Sequence, residues 1–164
     1  MRYANPTARS DIYCFGIFFK AIPFAVFKVS GIAGIDLLTK VQAGITLTNE
    51  ERQAFRQVEK RFDNICLKAY RCAVRVFVDA EESWIQDVID RMTLNAMRQY
   101  NKSACIIFNT VQLYRHDRIS YMHDLIETAK NEQFKVGLKL VRGGIHGKGK
   151  KKGCRQGLPF AHIS

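Results

Sequence analysis

The residues best suited to chemistry are one carboxylate and two lysines that adjoin apolar, strand-like runs. Asp79 follows the run 76–78, Lys28 ends the run 24–27, and Lys139 lies inside a third run. A lysine within an apolar strand is costly unless it is paired or faces a polar cleft. We therefore predict that Asp79 pairs with Lys139 across the sheet and that Lys28 shares their site. A purely structural ion pair is the alternative for Lys139.

Polar residues after the other apolar runs could complete such a site. Glu81 lies two residues beyond Asp79, although acidic residues there are equally expected at a helix start, where the helix dipole favours them. Asn109, Thr110 and Gln112 follow the run 106–108. A side-chain amide both donates and accepts hydrogen bonds, which suits the edge of a flavin pyrimidine or a nucleobase. A solvated loop is the alternative for these three residues.

A base and two glycines follow the last apolar run. Arg142, Gly143 and Gly144 could form a loop that approaches a phosphate or cofactor closely, because glycine has no side chain. Neither G-x-G-x-x-G nor G-x-x-x-x-G-K-[ST] occurs, so neither common nucleotide fingerprint is present. His116 and His123 are seven residues apart without an evident third ligand, which predicts surface histidines and no metal site.

The elements that must position these residues alternate along the chain. The predicted strands are residues 24–29, 75–78, 104–108 and 135–141. The predicted helices are residues 36–43, 48–72, 83–101 and 117–129, with Thr48, Ser83 and Asp117 as N-caps and Thr48 and Glu51 forming a capping box. Continuous apolar strands predict a parallel sheet that is buried on both faces. The pattern leaves open whether this α/β sheet is an open doubly wound sheet or part of a barrel.

Composition and charge narrow the class of protein. The hydrophobic share of 47% predicts a packed core, and the net charge of +11 is concentrated in residues 133–164, which carry eight bases and no acid. A basic segment of this kind is weak evidence for nucleic-acid binding, and we predict no specific nucleic-acid partner. The five cysteines form no C-x-x-C pair, which predicts reduced thiols in a cytoplasmic protein.

Four segments, taken in order, resemble the proline dehydrogenase family of flavoenzymes, most closely its stand-alone bacterial form. They read AIPFAVFKVS from residue 21, VFVDAEESWIQD from 76, FNTVQLY from 108 and LKLVRGG from 138. The resemblance implies a partial (β/α)8 TIM barrel, of which this chain supplies strands one to four with their helices. It also implies FAD as cofactor and oxidation of L-proline to Δ1-pyrroline-5-carboxylate, with electrons passed to a membrane quinone. The implied location is the cytoplasm, with a peripheral place on the inner membrane as the alternative.

The resemblance also implies roles for single residues. Lys28 matches the lysine that pairs with the proline carboxylate, and Asp79 matches the aspartate that orders the substrate and its charged neighbours. Gln112 matches the glutamine that hydrogen-bonds the flavin ring. Lys139 takes the position of a base near the reactive ring nitrogen, where its positive charge would stabilise negative charge on the reduced ring. The other implied cofactor contacts are Ala80, Arg142, Gly143 and Gly144.

The sequence departs from the family pattern after residue 143. Gly144 and Ile145 stand where alanine and tyrosine are usual, and Gly147 and Gly149 stand where glutamates are usual. We therefore expect a lead-in at 1–20, a half-barrel at 21–144 and a divergent basic tail at 145–164. The family's later strands and its arginine pair do not follow, so we expect a fragment with little turnover alone. The alternative is a non-catalytic α/β module that either self-associates through exposed strand edges or binds an anion with its basic tail.

Overall fold

Four parallel strands alternate with helices along the chain, in the order that the sequence predicts. The computed structural model describes residues 23–142. The strands are β1 (Phe24–Lys28), β2 (Arg75–Asp79), β3 (Ile107–Gln112) and β4 (Leu138–Val141). The helices are α1 (Ile35–Gln42), α2 (Asn49–Arg71), α3 (Gln86–Tyr100) and α4 (Arg118–Glu132), with 3-10 turns at Val29–Gly31 and Ser83–Ile85. Gly143, Gly144, the predicted lead-in 1–20 and the predicted tail 145–164 lie outside the described residues.

The strand order settles the question that the sequence pattern left open. The sheet runs β1-β2-β3-β4, and each strand is parallel to the next. A doubly wound sheet reverses its strand order at a switch point, whereas a barrel adds its strands in sequence. The described fold is therefore α/β, with the arrangement of a partial barrel.

The two faces of the sheet differ in their surroundings. On the outer face, buried Val76, Val78 and Ile107 join one apolar core with residues of the surrounding helices. The inner face begins with three aromatic rings near the amino ends of the strands. Phe24 and Phe77 stack with ring centroids 4.4 Å apart, and Phe108 meets Phe77 edge-on at 5.4 Å. These rings form an apolar floor below the carboxyl ends of the strands.

The start of α2 forms as predicted. The Thr48 side chain accepts a hydrogen bond from the Glu51 backbone N–H at 3.2 Å, and the Glu51 carboxylate accepts one from the Thr48 N–H at 3.0 Å. This reciprocal pair satisfies two backbone donors that the first turn of a helix leaves without partners. The predicted capping box is confirmed.

The other two predicted caps are corrected by the structure. Ser83 lies in a 3-10 turn, and α3 begins only at Gln86, with Ile85 in the N-cap position. Asp117 does stand in the N-cap position of α4, but its side chain caps no backbone N–H. The Asp117 carboxylate accepts hydrogen bonds from Arg115 and Arg118 instead, because two guanidinium groups compete with the backbone for it.

The predicted bounds of β3 were also wrong. The prediction ended this strand at residue 108, whereas the structure has it at Ile107–Gln112. Its late start follows from buried Asn101, whose side-chain oxygen accepts hydrogen bonds from the backbone N–H groups of Ile106 and Ile107. The Asn101 amide also donates to the Ile107 and Lys135 carbonyls, at 2.8 and 2.9 Å. One side chain thus binds backbone groups at the start of β3 and just before β4.

Candidate active site

A row of polar side chains crosses the inner face of the sheet near the carboxyl ends of the strands. Lys28 on β1 is the register partner of Asp79 on β2, and Thr110 on β3 is the partner of Lys139 on β4. The β2–β3 register places Asp79 beside Thr110. Side chains at matching positions of neighbouring parallel strands share a face. The sheet therefore brings together the three charged residues that the sequence singles out.

Asp79 and Lys139 form an ion pair across β3. The Lys139 ammonium donates to Asp79 Oδ1 at 2.6 Å, and the two side chains are 32% and 17% exposed. The Thr110 hydroxyl donates to the Val78 carbonyl at 2.8 Å and lies 3.4 Å from the same carboxylate oxygen. The predicted pairing of Asp79 with Lys139 is confirmed. It explains how a lysine is tolerated in this strand, since a nearby carboxylate offsets the loss of hydration.

Lys28 does not pair with Asp79 but with Glu81. Its ammonium lies 2.6 Å from Glu81 Oε1, and the two side chains are 48% and 60% exposed. The hydrogen bond that the Lys28 ammonium donates to Glu81 is the largest of the effects that raise the pKa of Lys28 above its usual value. Lys28 therefore carries a full positive charge and already binds a carboxylate, which is the group that the resemblance assigns to it as a ligand.

Gln112 presents an unpaired oxygen at this site. Its side chain is buried, and its amide nitrogen donates to the backbone carbonyls of Ala80 at 3.0 Å and Glu81 at 3.3 Å. Among residues 23–142, the Gln112 side-chain oxygen has no hydrogen-bond partner. A buried polar atom without a partner is unfavourable unless a ligand or water satisfies it. This oxygen is suited to accept a hydrogen bond from a ligand N–H, such as that of a flavin pyrimidine.

Asn109 faces away from the site, and it lies within β3, so neither the ligand contact nor the solvated loop that the sequence left open describes it. Its amide donates to Asp90 at 2.7 Å and to the Tyr121 hydroxyl at 2.9 Å, on the side of the sheet that carries α3 and α4. Asp90 in turn pairs with Arg118 at 2.6 Å, and both side chains are buried. Asn109 therefore belongs to a buried polar network behind the strand and not to a ligand site.

The remaining predicted contacts are placed only in part. Ala80 is buried directly after β2, and Arg142 is exposed directly after β4.

His116 and His123 are exposed, as predicted. In the described part of the chain, no group of three or more His, Cys, Asp or Glu side chains could hold a metal ion. None of the helices within residues 23–142 combines the length and apolarity needed to cross a membrane.

Sequence reasoning missed the roles of two residues at this site. Thr110 was grouped with loop residues, yet alternation along a strand places it on the same face as Gln112. Glu81 was weighed beside Asp79 and not carried into the site, although it holds the Lys28 ammonium. Its position depends on how the chain leaves β2, which residue spacing alone does not give.

Parallel strands in sequential order, with charged and amide groups at their carboxyl ends, are the arrangement of one half of an α/β-barrel enzyme. The sequence model described as proline dehydrogenase matches residues 18–163. The chain belongs to the proline dehydrogenase family.

Individual relatives agree with this family. The chain is 36% identical over 110 residues to proline dehydrogenase 1, mitochondrial, of Drosophila melanogaster, which covers 67% of this chain and 16% of the relative. It is 38% identical over 97 residues to the protein of the same name in Caenorhabditis elegans, covering 59% of this chain and 16% of the relative.

One bacterial relative is named for a different process. The carbapenem antibiotics biosynthesis protein CarD of Pectobacterium carotovorum subsp. carotovorum is 29% identical over 123 residues, covering 75% of this chain and 33% of CarD. The chain thus spans between 16% and 33% of the length of these three relatives. No solved structure matches it significantly.

Proposed function

We propose that this chain forms half of an FAD-dependent proline dehydrogenase site, and that the whole protein oxidises L-proline to Δ1-pyrroline-5-carboxylate in proline catabolism. The observation that carries the proposal is the unpaired, buried oxygen of Gln112 on the same sheet face as the Lys139–Asp79 pair. Family membership supports the reaction type. A membrane quinone is the proposed electron acceptor, and the proposed location is the cytoplasm or the inner-membrane surface.

The residues around Gln112 fit a flavin. Bound FAD would supply the acceptor for the hydride that leaves the proline ring carbon beside nitrogen. Gln112 would hold the ring edge through its free oxygen, because its amide nitrogen is already engaged by two backbone carbonyls. Ala80, Arg142, Gly143 and Gly144 are the further proposed contacts, as the family resemblance implies.

The charged row would bind and orient the substrate. Lys28 would pair with the proline carboxylate, since its ammonium binds a carboxylate in this structure. Asp79 holds the Lys139 ammonium in place, with Thr110 close to the same carboxylate oxygen. A positive charge fixed in a partly buried site needs no reorganisation when negative charge develops near it. The proposed roles of Asp79 and Lys139 are therefore positional and electrostatic.

FAD titration tests the cofactor part of the proposal. Purified protein is titrated with FAD, and the quenching of flavin fluorescence gives the dissociation constant. We expect the natural chain to bind FAD. Gln112→Leu should bind FAD about tenfold or more weakly, because removing a buried hydrogen bond of this kind costs about 1–3 kcal/mol. Gln53→Leu on the exposed face of α2 is the matched control and should bind as the natural chain does. Equal affinities in both variants would contradict the role of Gln112.

A second candidate function is self-association through strand edges. Within residues 23–142, no strand pairs with the outer edge of β1 or of β4, and Val26 on the inner face is 56% exposed. Parallel sheets are ordinarily covered on both faces, and unpaired edges favour association. Light scattering of the purified protein tests this candidate, which predicts a dimer or larger species and is excluded by a stable monomer.

A further inference from the structure

We propose that Glu81 is an internal competitor for the carboxylate of the ligand: the Lys28–Glu81 pair occupies the ligand subsite, and binding replaces Glu81 by the carboxylate of the ligand. The inference rests on the proposed function in assigning Lys28 to a substrate carboxylate. It goes further in naming a residue that lowers the affinity for such ligands and that favours their exchange.

The geometry of the pair supports this role. Lys28 ends β1, Glu81 lies two residues beyond β2, and a single hydrogen bond of 2.6 Å joins them. The Glu81 side chain therefore occupies one of the positions around the Lys28 ammonium that a ligand carboxylate could take. Because two carboxylates beside one ammonium repel each other, the ligand carboxylate and Glu81 compete for Lys28.

Of the two lysines in the row, Lys28 is the one whose carboxylate partner can be readily replaced. Both members of the Lys28–Glu81 pair are about half exposed, so water can replace either partner at little cost. The Lys139–Asp79 pair is more buried and has Thr110 close to the same carboxylate oxygen. A ligand carboxylate is therefore expected to displace Glu81 and to leave Asp79 where it is.

The backbone of Glu81 is held by a contact that does not involve its side chain. The Glu81 carbonyl accepts a hydrogen bond from the buried Gln112 amide at 3.3 Å. The Glu81 side chain can therefore turn out to solvent while its backbone keeps its place beside Gln112. Displacement then needs only a change of side-chain rotamer and no rearrangement of the loop.

The test compares ligands with and without a carboxylate. Dissociation constants are measured by NMR, from the backbone amide shifts of Lys28 and Glu81, during titration with L-proline, acetate and pyrrolidine, which lacks the carboxylate. The variants are Glu81→Gln, Lys28→Met and, as matched control, Glu82→Gln. Glu82 also favours the Lys28 charge, but only through its charge, so its variant removes the same charge without removing the hydrogen bond.

We expect Glu81→Gln to bind L-proline and acetate about two- to fivefold more tightly, the range set by exposed ion pairs, and pyrrolidine unchanged. Glu82→Gln should have a much smaller effect, because salt screens its more distant charge. Lys28→Met should lose the response to both carboxylates. Unchanged or weaker binding in Glu81→Gln, or an equal gain in Glu82→Gln, would overturn the proposal.

Two other outcomes separate this inference from the proposed function. If acetate behaves as expected but L-proline binds to no variant, the competition by Glu81 stands and proline oxidation fails. If neither carboxylate shifts the Lys28 resonance in any variant, the competition is overturned. Reduction of bound FAD by L-proline would in that case still support the proposed function.

Discussion

The Lys139 ammonium lies 2.6 Å from Asp79 Oδ1, although β3 separates the strands that carry these two residues. The pair can form because the residue between them is Thr110, whose short side chain turns its hydroxyl towards the Val78 carbonyl. A large side chain at position 110 would stand between the two charges. The pair therefore connects β2 to β4 and fixes a positive charge on the inner face of the sheet.

Removing the lysine should leave a mostly buried carboxylate without its partner. We predict that Lys139→Met lowers the free energy of unfolding by about 1–3 kcal/mol, less than for a fully buried pair because Lys139 is partly exposed. Urea denaturation measures the loss. The double variant Lys139→Met with Asp79→Leu should recover part of it, since the isolated charge is then gone as well. A double variant less stable than Lys139→Met would contradict this account of the pair.

Replacing a charged residue in the buried network behind β3 should lower the free energy of unfolding more than replacing Lys139. Arg118 and Asp90 are almost fully buried and lie 2.6 Å apart, and Asp90 also accepts from Asn109. We predict that Arg118→Met destabilises the protein by about 3–5 kcal/mol, because it leaves Asp90 buried and uncompensated. Arg98→Met is the matched control: Arg98 forms an exposed pair with Glu132, and its loss should have little effect. Equal losses would show that burial does not decide the energetics here.

Asp117 should make stability depend on pH at the acidic end. Hydrogen bonds from Arg115 and Arg118 hold the pKa of the Asp117 carboxyl well below its usual range. A depressed folded-state pKa means that the stabilisation is fully present above the unfolded value of about 3.9 and is lost as pH falls below it. The difference in thermal midpoint between the natural chain and Asp117→Asn should therefore be largest near neutral pH and shrink below pH ~4. A difference that grows with acidity would contradict this sign.

Gly137 should tolerate no side chain, even though its backbone is ordinary. A Cβ there would lie 2.5 Å from the Ile107 carbonyl oxygen and 2.7 Å from the Cys105 sulfur. We predict that Gly137→Ala destabilises the protein by about 1–3 kcal/mol through overpacking between β3 and the start of β4. Gly34→Ala is the control, since a Cβ at Gly34 meets nothing within 4 Å. Thermal unfolding compares the two, and equal midpoints would contradict the prediction.

Much of the fold could be predicted because its determinants are local. Short continuous apolar runs, alternating with stretches of helical periodicity, predicted four strands and four helices in the right order. The spacing of Thr48 and Glu51 alone marked the start of α2. The sequential strand order was beyond reach of the pattern. It depends on which edges pair in space, and the family resemblance, rather than periodicity, favoured the barrel.

The site was predictable where charge left few choices, and less so where a residue's environment decides its role. Lys139 inside an apolar strand required a partner, and Asp79 was the predicted one. For Asn109 the sequence left a ligand contact and a solvated loop open, but strand alternation places it on the face opposite Thr110, where it contacts α3 and α4. Glu81 was not assigned to Lys28, because their contact joins residues 53 positions apart through the path of a loop.

The central claim is that the inner face of this sheet binds L-proline beside a flavin, and one measurement tests it most directly. The whole protein to which this half-site belongs, purified with bound FAD, is mixed anaerobically with L-proline, and the visible absorbance of the flavin is followed through a single reduction. The account predicts that L-proline bleaches the flavin and that Lys28→Met requires a much higher L-proline concentration for the same rate. Bound FAD that L-proline leaves unbleached, or a Lys28→Met variant that needs no more L-proline than the natural chain, would contradict it.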